Sequence, residues 1–380
     1  MKKIWYSILI PGILVLALCA CGTQSRTLSD VGTDFETIKK TGSIEFDYAK
    51  EIQIERYEQY YVIHINEGGD YLVVPQGEKV PANLPEKMVV LQQPLNKTYL
   101  VSTAIMDSVV KAECLDNIRL TGTKAKDWYI DEAVQALQKK EILFAGKYNE
   151  PDYELLLQEN CNLALENTMI YHNPESKEKL EELGIPVLVE RSSYESHPLG
   201  RMEWIKLVGV LYGKEQEAIE YFNKQVKKLE PVMEKEMTHK KVAFFYVTAN
   251  GTINVRRPKD YIAKMIEMAG GNYALADLID EEENALSTMN IQMEDFYNQA
   301  KDADVLIYNS TIVGELETID DLVDKNPLFR DFKAVKEKNV YCTANNFFQQ
   351  VMGTCDFIAD LNHILTGKKT ETLRYIYQLR

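Results

Sequence analysis

From Glu215 to Met237 apolar residues recur at helical spacing: Ala218, Phe222, Val226, Leu229, Met233 and Met237 stand three and four residues apart. The period predicts a rod of about 35 Å, kinked or ended early at Pro231. On either side, short apolar runs alternate with helical patterns. Before it, Met88–Gln92, Tyr99–Ser102, Ile118–Gly122, Ile142–Gly146, Asn162–Glu166 and Ile185–Glu190 read as strands. Helical patterns cover Ala104–Glu113, Ile130–Lys139, Asp152–Glu159 and Ser176–Leu183, the last closed by Gly184. After it, strands are expected at Val242–Thr248, Asp304–Tyr308 and Val340–Thr343. Helices are expected there at Tyr261–Ala269, Met293–Ala300, Thr318–Val323 and Cys355–Leu365. Alternation of this kind implies mainly parallel sheets covered on both faces. The expected fold is α/β: an N-terminal α/β lobe over residues 46–212, a linking helix over 213–238 and a C-terminal α/β lobe over 239–380. Ile52–Val74 instead alternates apolar and polar residues around Glu67-Gly68-Gly69-Asp70, the mark of an added N-terminal β-hairpin.

The first 45 residues follow neither period. Lys2 and Lys3 precede an apolar core, Ile4 to Leu18, of signal-peptide length and too short for a spanning helix. Residues 1–20 therefore read as a leader, and 21–45, with Gly, Thr, Ser and Gln followed by mixed charge, as a flexible tether. Leu18-Cys19-Ala20-Cys21 resembles the bacterial lipoprotein signal, which makes Cys21 the lipidated residue and places the protein on the extracytoplasmic face of the cell membrane, held by lipid only. Cys19 fits worse, because bulky Leu18 would occupy the cleavage position.

A chain of 380 residues is long enough for two cores. Its net charge of −15 argues against nucleic-acid partners, whose phosphates it would repel. Cys114, Cys161, Cys342 and Cys355 form no CxxC pair, so no metal cluster is expected. Export permits a Cys342–Cys355 disulfide, while thinly spread cysteines also serve as small buried apolar residues. No GxSxG, HExxH, Walker or GxGxxG pattern occurs, so no catalytic residue and no cofactor is assigned. Glu195 and His197 could form an acid–base pair, or belong to a turn that leads into a helix.

Several stretches together resemble the substrate-binding proteins of ABC importers for iron chelates and cobalamin, two-lobed proteins with a helical backbone. One is Ala145-Gly146-Lys147-Tyr148-Asn149-Glu150-Pro151-Asp152-Tyr153-Glu154-Leu155-Leu156-Leu157, continuing to Asn162-Leu163-Ala164-Leu165. Another is Leu183-Gly184-Ile185-Pro186-Val187, and a third is Met289-Asn290-Ile291-Gln292-Met293-Glu294-Asp295-Phe296 leading to Ala303-Asp304-Val305-Leu306-Ile307. The resemblance runs from about Met88 to Leu365. It departs at the opening strand, where Val101-Ser102-Thr103-Ala104-Ile105-Met106-Asp107 replaces the family's proline and glutamate.

The resemblance implies a monomer that is not an enzyme, capturing an iron complex (siderophore or haem) or cobalamin for an ABC permease and its ATPase. In open α/β sheets the ligand sits beyond the carboxyl ends of the strands. Tyr148, Arg191, Tyr194, His197, Arg256, Arg257 and Phe347 are the candidates there. Aromatic rings with guanidinium groups suit a large, flat, partly anionic ligand. His172, His197, Tyr148 and Tyr194 are also candidate haem-iron ligands. Only five histidines and no His-rich tract argue against capture of bare zinc or manganese. Glu154 and Glu294 match the family's permease-docking glutamates, one per lobe. The rival reading is an extracytoplasmic chelatase-like enzyme acting on a tetrapyrrole or metal complex.

Overall fold

The computed structural model describes residues 32–234, 237–278, 287–367 and 372–380; the leader and Cys21 lie outside the described residues. The alternating stretch forms more than a hairpin. β1 (Lys40–Ile44), β2 (Ile52–Tyr57), β3 (Tyr60–Ile65), β4 (Gly69–Val74) and β5 (Val89–Gln92) make a five-stranded sheet in that order. The first four strands run antiparallel, and β5 pairs parallel to β4. β1 thus lies within the stretch expected as tether, and β5 within the run expected to open the first lobe's parallel sheet. An apolar run of four residues does not say which sheet it joins. Strand period does decide the faces. Ile52, Ile54, Ile63 and Ile65 point into the main core, while Tyr60, Val62, Leu72 and Val74 build a small outer core with Ile38.

The N-terminal lobe follows as β6 (Thr98–Leu100), α1 (Thr103–Lys111), β7 (Ile118–Thr121), α2 (Asp131–Gln138) and β8 (Leu143–Phe144). A two-residue ribbon, β9 (Gly146–Lys147) and β10 (Glu150–Pro151), precedes α3 (Tyr153–Gln158), β11 (Leu163–Asn167), α4 (Pro174–Glu182) and β12 (Val187–Glu190). The sheet order is β12-β11-β6-β7-β8, all parallel, as the alternation of strands and helices requires. Asp152 starts α3 by accepting from the Leu155 amide at 3.0 Å.

The connection to the second lobe is a helical backbone in successive pieces: α5 (Pro198–Glu203), α6 (Ile205–Tyr212), α7 (Glu215–Lys227) and α8 (Glu230–Met233). Gly213, at φ +71°, closes α6. A Cβ on Gly209 would stand 2.7 Å from that of Ala218, so glycine lets α6 and α7 approach closely. Pro231 lies in the first turn of α8, where a missing amide hydrogen costs nothing. The helix expected through Met237 is therefore α7, with a short successor. Tyr61 and Arg56 of the N-terminal sheet both bond Glu215 at the start of α7, the tyrosine at 2.7 Å.

The C-terminal lobe comprises β13 (Lys241–Val247), β14 (Ile253–Arg256), α9 (Tyr261–Met268), β15 (Asn272–Tyr273), β16 (Thr288–Ile291) and α10 (Met293–Ala300). It closes with β17 (Val305–Tyr308), α11 (Ile319–Lys325), α12 (Lys333–Lys336), β18 (Val340–Thr343), α13 (Thr354–Thr366) and β19 (Ile376–Gln378). The sheet runs β16-β14-β13-β17-β18-β19, with β15 beside β13. β13, β17 and β18 are parallel, whereas β14 pairs antiparallel to β13, β16 antiparallel to β14 and β19 antiparallel to β18, three strands beyond those the apolar runs predict. Phe245, Phe296, Phe329 and Phe332 stack as its core. Cys342 and Cys355 are buried and free, serving as small apolar residues rather than the disulfide that export would permit; Cys355 packs against the Met202 sulfur at 3.9 Å.

Candidate ligand cleft

The carboxyl ends of β6, β7, β11 and β12 in one lobe, and of β13, β17 and β18 in the other, carry the loops where the lobes approach. Gln349 accepts from the Tyr129 amide at 2.8 Å and donates to the Asp127 carbonyl at 2.9 Å, tying the loop after β18 to the loop after β7. Deeper, buried Asp107 on α1 accepts from the Met352 amide at 2.8 Å.

Exposed large apolar side chains concentrate on these loops. Tyr129, Met169, Tyr171 and Tyr194 follow strands of the first lobe; Ile312 and Val313 follow β17 of the second. A single exposed apolar residue is ordinary, but a group gathered around strand ends marks a contact surface. Met169, Ile312 and Val313 were not among the sequence candidates. Their only signal was an apolar residue three to five positions past a predicted strand.

The candidates named from sequence fare unequally. Arg191, at the end of β12, is largely buried and pairs with Glu51 at 3.3 Å and Glu67 at 2.9 Å. Its guanidinium also lies 4.1 Å from the centroid of the exposed Tyr194 ring. Tyr148 is half-buried, packed on the first lobe's second core. Arg256 stands within β14 rather than after it, buried between the Tyr261 and Phe348 rings, 3.8 Å from Asp260 and 3.3 Å from the Ser287 hydroxyl. Arg257 follows, its amide bonded to the Ser287 carbonyl. Phe347 is buried against Phe357, ring centroids 4.1 Å apart, so its exposed role passes to half-buried Phe348. Arg201 on α5 bridges the two sides: it donates to the Ser193 and Glu195 carbonyls beside Tyr194 and lies 3.6 Å from the Tyr261 ring centroid.

His197 and Glu195 do not form an acid–base pair. His197 caps α5, its Nδ1 accepting from the Leu199 amide at 3.2 Å, and stacks on Tyr48 at 4.7 Å. Burial lowers its pKa. The Glu195 carboxylate accepts from the Lys50 and Glu51 amides and from the Trp204 indole at 3.0 Å. Glu203 similarly accepts from Asp47, Tyr48 and Ala49 amides and pairs with Lys206 at 2.7 Å. Two buried carboxylates thus moor the segment that leads into β2.

A third buried acid has no such partners. Glu166 on β11 is fully buried, neither carboxyl oxygen has a hydrogen-bond partner, and burial pushes its pKa up to about 8. Burial likewise raises Asp107 to about 6, against the opposing pull of the Met352 amide and Lys111. Among the described residues no group of His, Cys, Asp or Glu is placed to hold a metal ion.

The geometry has known counterparts. Among solved structures, the haem-binding protein HutB of Vibrio cholerae is 15% identical with a TM-score of 0.56, covering 72% of this chain and 99% of that one. An Fe3+-hydroxamate transport protein of Saccharomonospora viridis is 20% identical with a TM-score of 0.53, covering 72% and 93%. The vitamin B12-binding protein BtuF of V. cholerae is 13% identical with a TM-score of 0.51, covering 73% and 98%. By sequence, a chain of Methanocaldococcus jannaschii named as a lipoprotein is 27% identical over 321 residues, 80% of this chain and 75% of the relative. A second lipoprotein of that organism is 24% identical across the full length of both chains. The periplasmic binding protein model matches residues 110–346, more than half of the sequence, and the two-lobed architecture around the cleft agrees with it: this chain belongs to the periplasmic binding protein family.

Proposed function

We propose that this chain is the lipid-anchored substrate-binding protein of an ABC transporter, capturing an iron complex (siderophore or haem) or cobalamin between its lobes. The observation that carries the reading is the set of exposed aromatic and aliphatic side chains at the strand ends of both lobes. A large ligand of low polarity would cover Tyr171 and Tyr194 on one side and Ile312 on the other. Membership in a family of binding proteins supports the same conclusion. The anchor at Cys21 rests on the leader sequence, in keeping with relatives named as lipoproteins.

Titration of the purified protein with a ferric hydroxamate, haem and cobalamin, followed by tryptophan fluorescence and native mass spectrometry, is expected to give one-to-one saturation by one of them at about micromolar Kd or tighter. No saturation by any of the three would remove the reading. Blocking lipid attachment with Cys21→Ala should release the protein from the membrane; a normal lipid label on that variant would overturn the anchor.

Delivery would use Glu154 and Glu294. Each is exposed, and each is the second residue of its helix, α3 and α10 respectively. Such positions also favour glutamate through the helix dipole, but one per lobe gives a two-point docking register. Glu154→Arg combined with Glu294→Arg should leave ligand affinity and melting temperature unchanged while uptake collapses. Normal uptake by the double variant would exclude the docking role.

A further inference from the structure

We propose that Glu67, carried on the β3–β4 turn of the added N-terminal sheet, sets the charge class of the ligand, so that this cleft selects chelates without free carboxylate or catecholate oxygens. The proposal rests on the binding-protein reading and narrows it.

Arg191 is the guanidinium at the rim of the first lobe that an anionic chelate would need. It is already matched by two carboxylates: Glu67 Oε2 lies 2.9 Å from Nη2 and Glu51 Oε2 lies 3.3 Å from Nε. One positive charge against two negative ones leaves that edge net negative. Exposure sharpens the point, for the Arg191 side chain is only 8% exposed and that of Glu67 is 80% exposed. An arriving ligand meets the carboxylate first.

The turn is held there by the fold. Tyr171 donates to the Glu67 carbonyl at 3.3 Å, so the turn is fastened beside two exposed tyrosines, Tyr171 and Tyr194. Glu67 adopts a left-handed conformation, φ 52°. A Cβ on the following Gly68 would come within 2.5 Å of Ile65 and 3.3 Å of the Val189 carbonyl, so only glycine lets the turn lie against β12. Tyr71 completes the attachment, donating to the Gly68 carbonyl at 2.8 Å and accepting from the Val189 amide at 3.4 Å.

Among the described residues the other guanidinium groups at the cleft are also engaged, Arg201 by the Ser193 and Glu195 carbonyls and the Tyr261 ring. Arg256 is occupied by Asp260, Ser287 and two aromatic rings, and Arg257 is also engaged. An anionic group at this rim would lose its water shell beside a carboxylate and find Arg191 already matched by two, whereas a neutral or cationic chelate can stack on the tyrosines without that loss.

The test uses the full chain and its Glu67→Gln and Glu67→Lys variants, titrated with a neutral ferric trihydroxamate, cobalamin, a ferric tris-catecholate and haem. Arg191 keeps Glu51 when Glu67 is replaced, so both variants should stay folded, with melting temperatures lowered by no more than a few degrees. The wild type is expected to favour a neutral ligand, and whichever of trihydroxamate or cobalamin saturates identifies the source. Affinity for the anionic ligands should rise about tenfold in Glu67→Gln and further in Glu67→Lys, with the neutral ligand held within about twofold. Anionic affinity unchanged along the series, or a wild type that prefers the catecholate or haem, would overturn the proposal and leave the binding function standing. A wild type that binds none of the four would remove both.

Discussion

Glu166→Leu should stabilise the protein by about 3 kcal/mol at pH 8, and by much less at pH 4. The folded carboxyl holds its proton up to about pH 8, against an ordinary value of 4.5, because it is buried without a partner. Below the ordinary value both folded and unfolded chains are protonated, and ionisation adds no penalty. As pH rises from there, the unfolded chain releases a proton that the folded chain keeps, so wild-type stability falls until the folded carboxyl also ionises. Leucine removes the titration and fills the same layer as Tyr99, Ala164 and Val189 with apolar atoms. Urea unfolding of both proteins at the two pH values is the measurement. An equal difference at pH 4 and pH 8 would show that the native carboxyl does not hold its proton.

The second large effect is of opposite sign. Glu203→Ala should cost about 3–5 kcal/mol, because it leaves three backbone amides and the buried Lys206 ammonium without their carboxylate. Lys206 would retain only the Glu45 carbonyl at 2.7 Å and the faces of Phe46 and Phe222. The damage should begin where the segment is moored: hydrogen exchange at Asp47, Tyr48 and Ala49 is expected to accelerate before exchange in the lobe sheets does. Glu203→Gln, which keeps the shape but not the charge, should fall between wild type and alanine. Uniform exchange throughout the chain would mean that Glu203 stabilises the protein globally rather than holding the N-terminal sheet in place.

These two glutamates also show why the site was harder to foresee than the fold. Glu166, Glu195 and Glu203 look alike in a sequence. One is orphaned in a strand, one caps a loop and one anchors another, and the difference lies in partners more than a hundred positions distant for the last two. Arg191 stands at a strand end, where the sequence places it, and pairs with Glu51 and Glu67, which come from the added N-terminal sheet. His197 stood beside a promising acid and became a helix cap, because the nearest acceptor requirement was the exposed backbone of α5. Arg256 seemed to lie past a strand, since a four-residue strand ending in two arginines carries little apolar signal.

By itself the sequence determined what depends on local period and local chemistry. Short apolar runs between helical patterns favour parallel strands with covering helices, so two α/β lobes and a helical backbone between them were legible in outline. Alternation over Ile52–Val74 determined an antiparallel ribbon, and the fixed positions of Asp152 and Gly184 determined where helices begin and end. Tertiary structure alone decided which strands share a sheet, because backbone pairing is nearly indifferent to side-chain identity; β5 joined the N-terminal sheet and β14, β16 and β19 extended the second one. It also decided the electrostatics of the cleft. Charge at a site is a sum over groups brought within a few ångströms, screened by what buries them, and that sum is written in distances which no spacing along the chain contains.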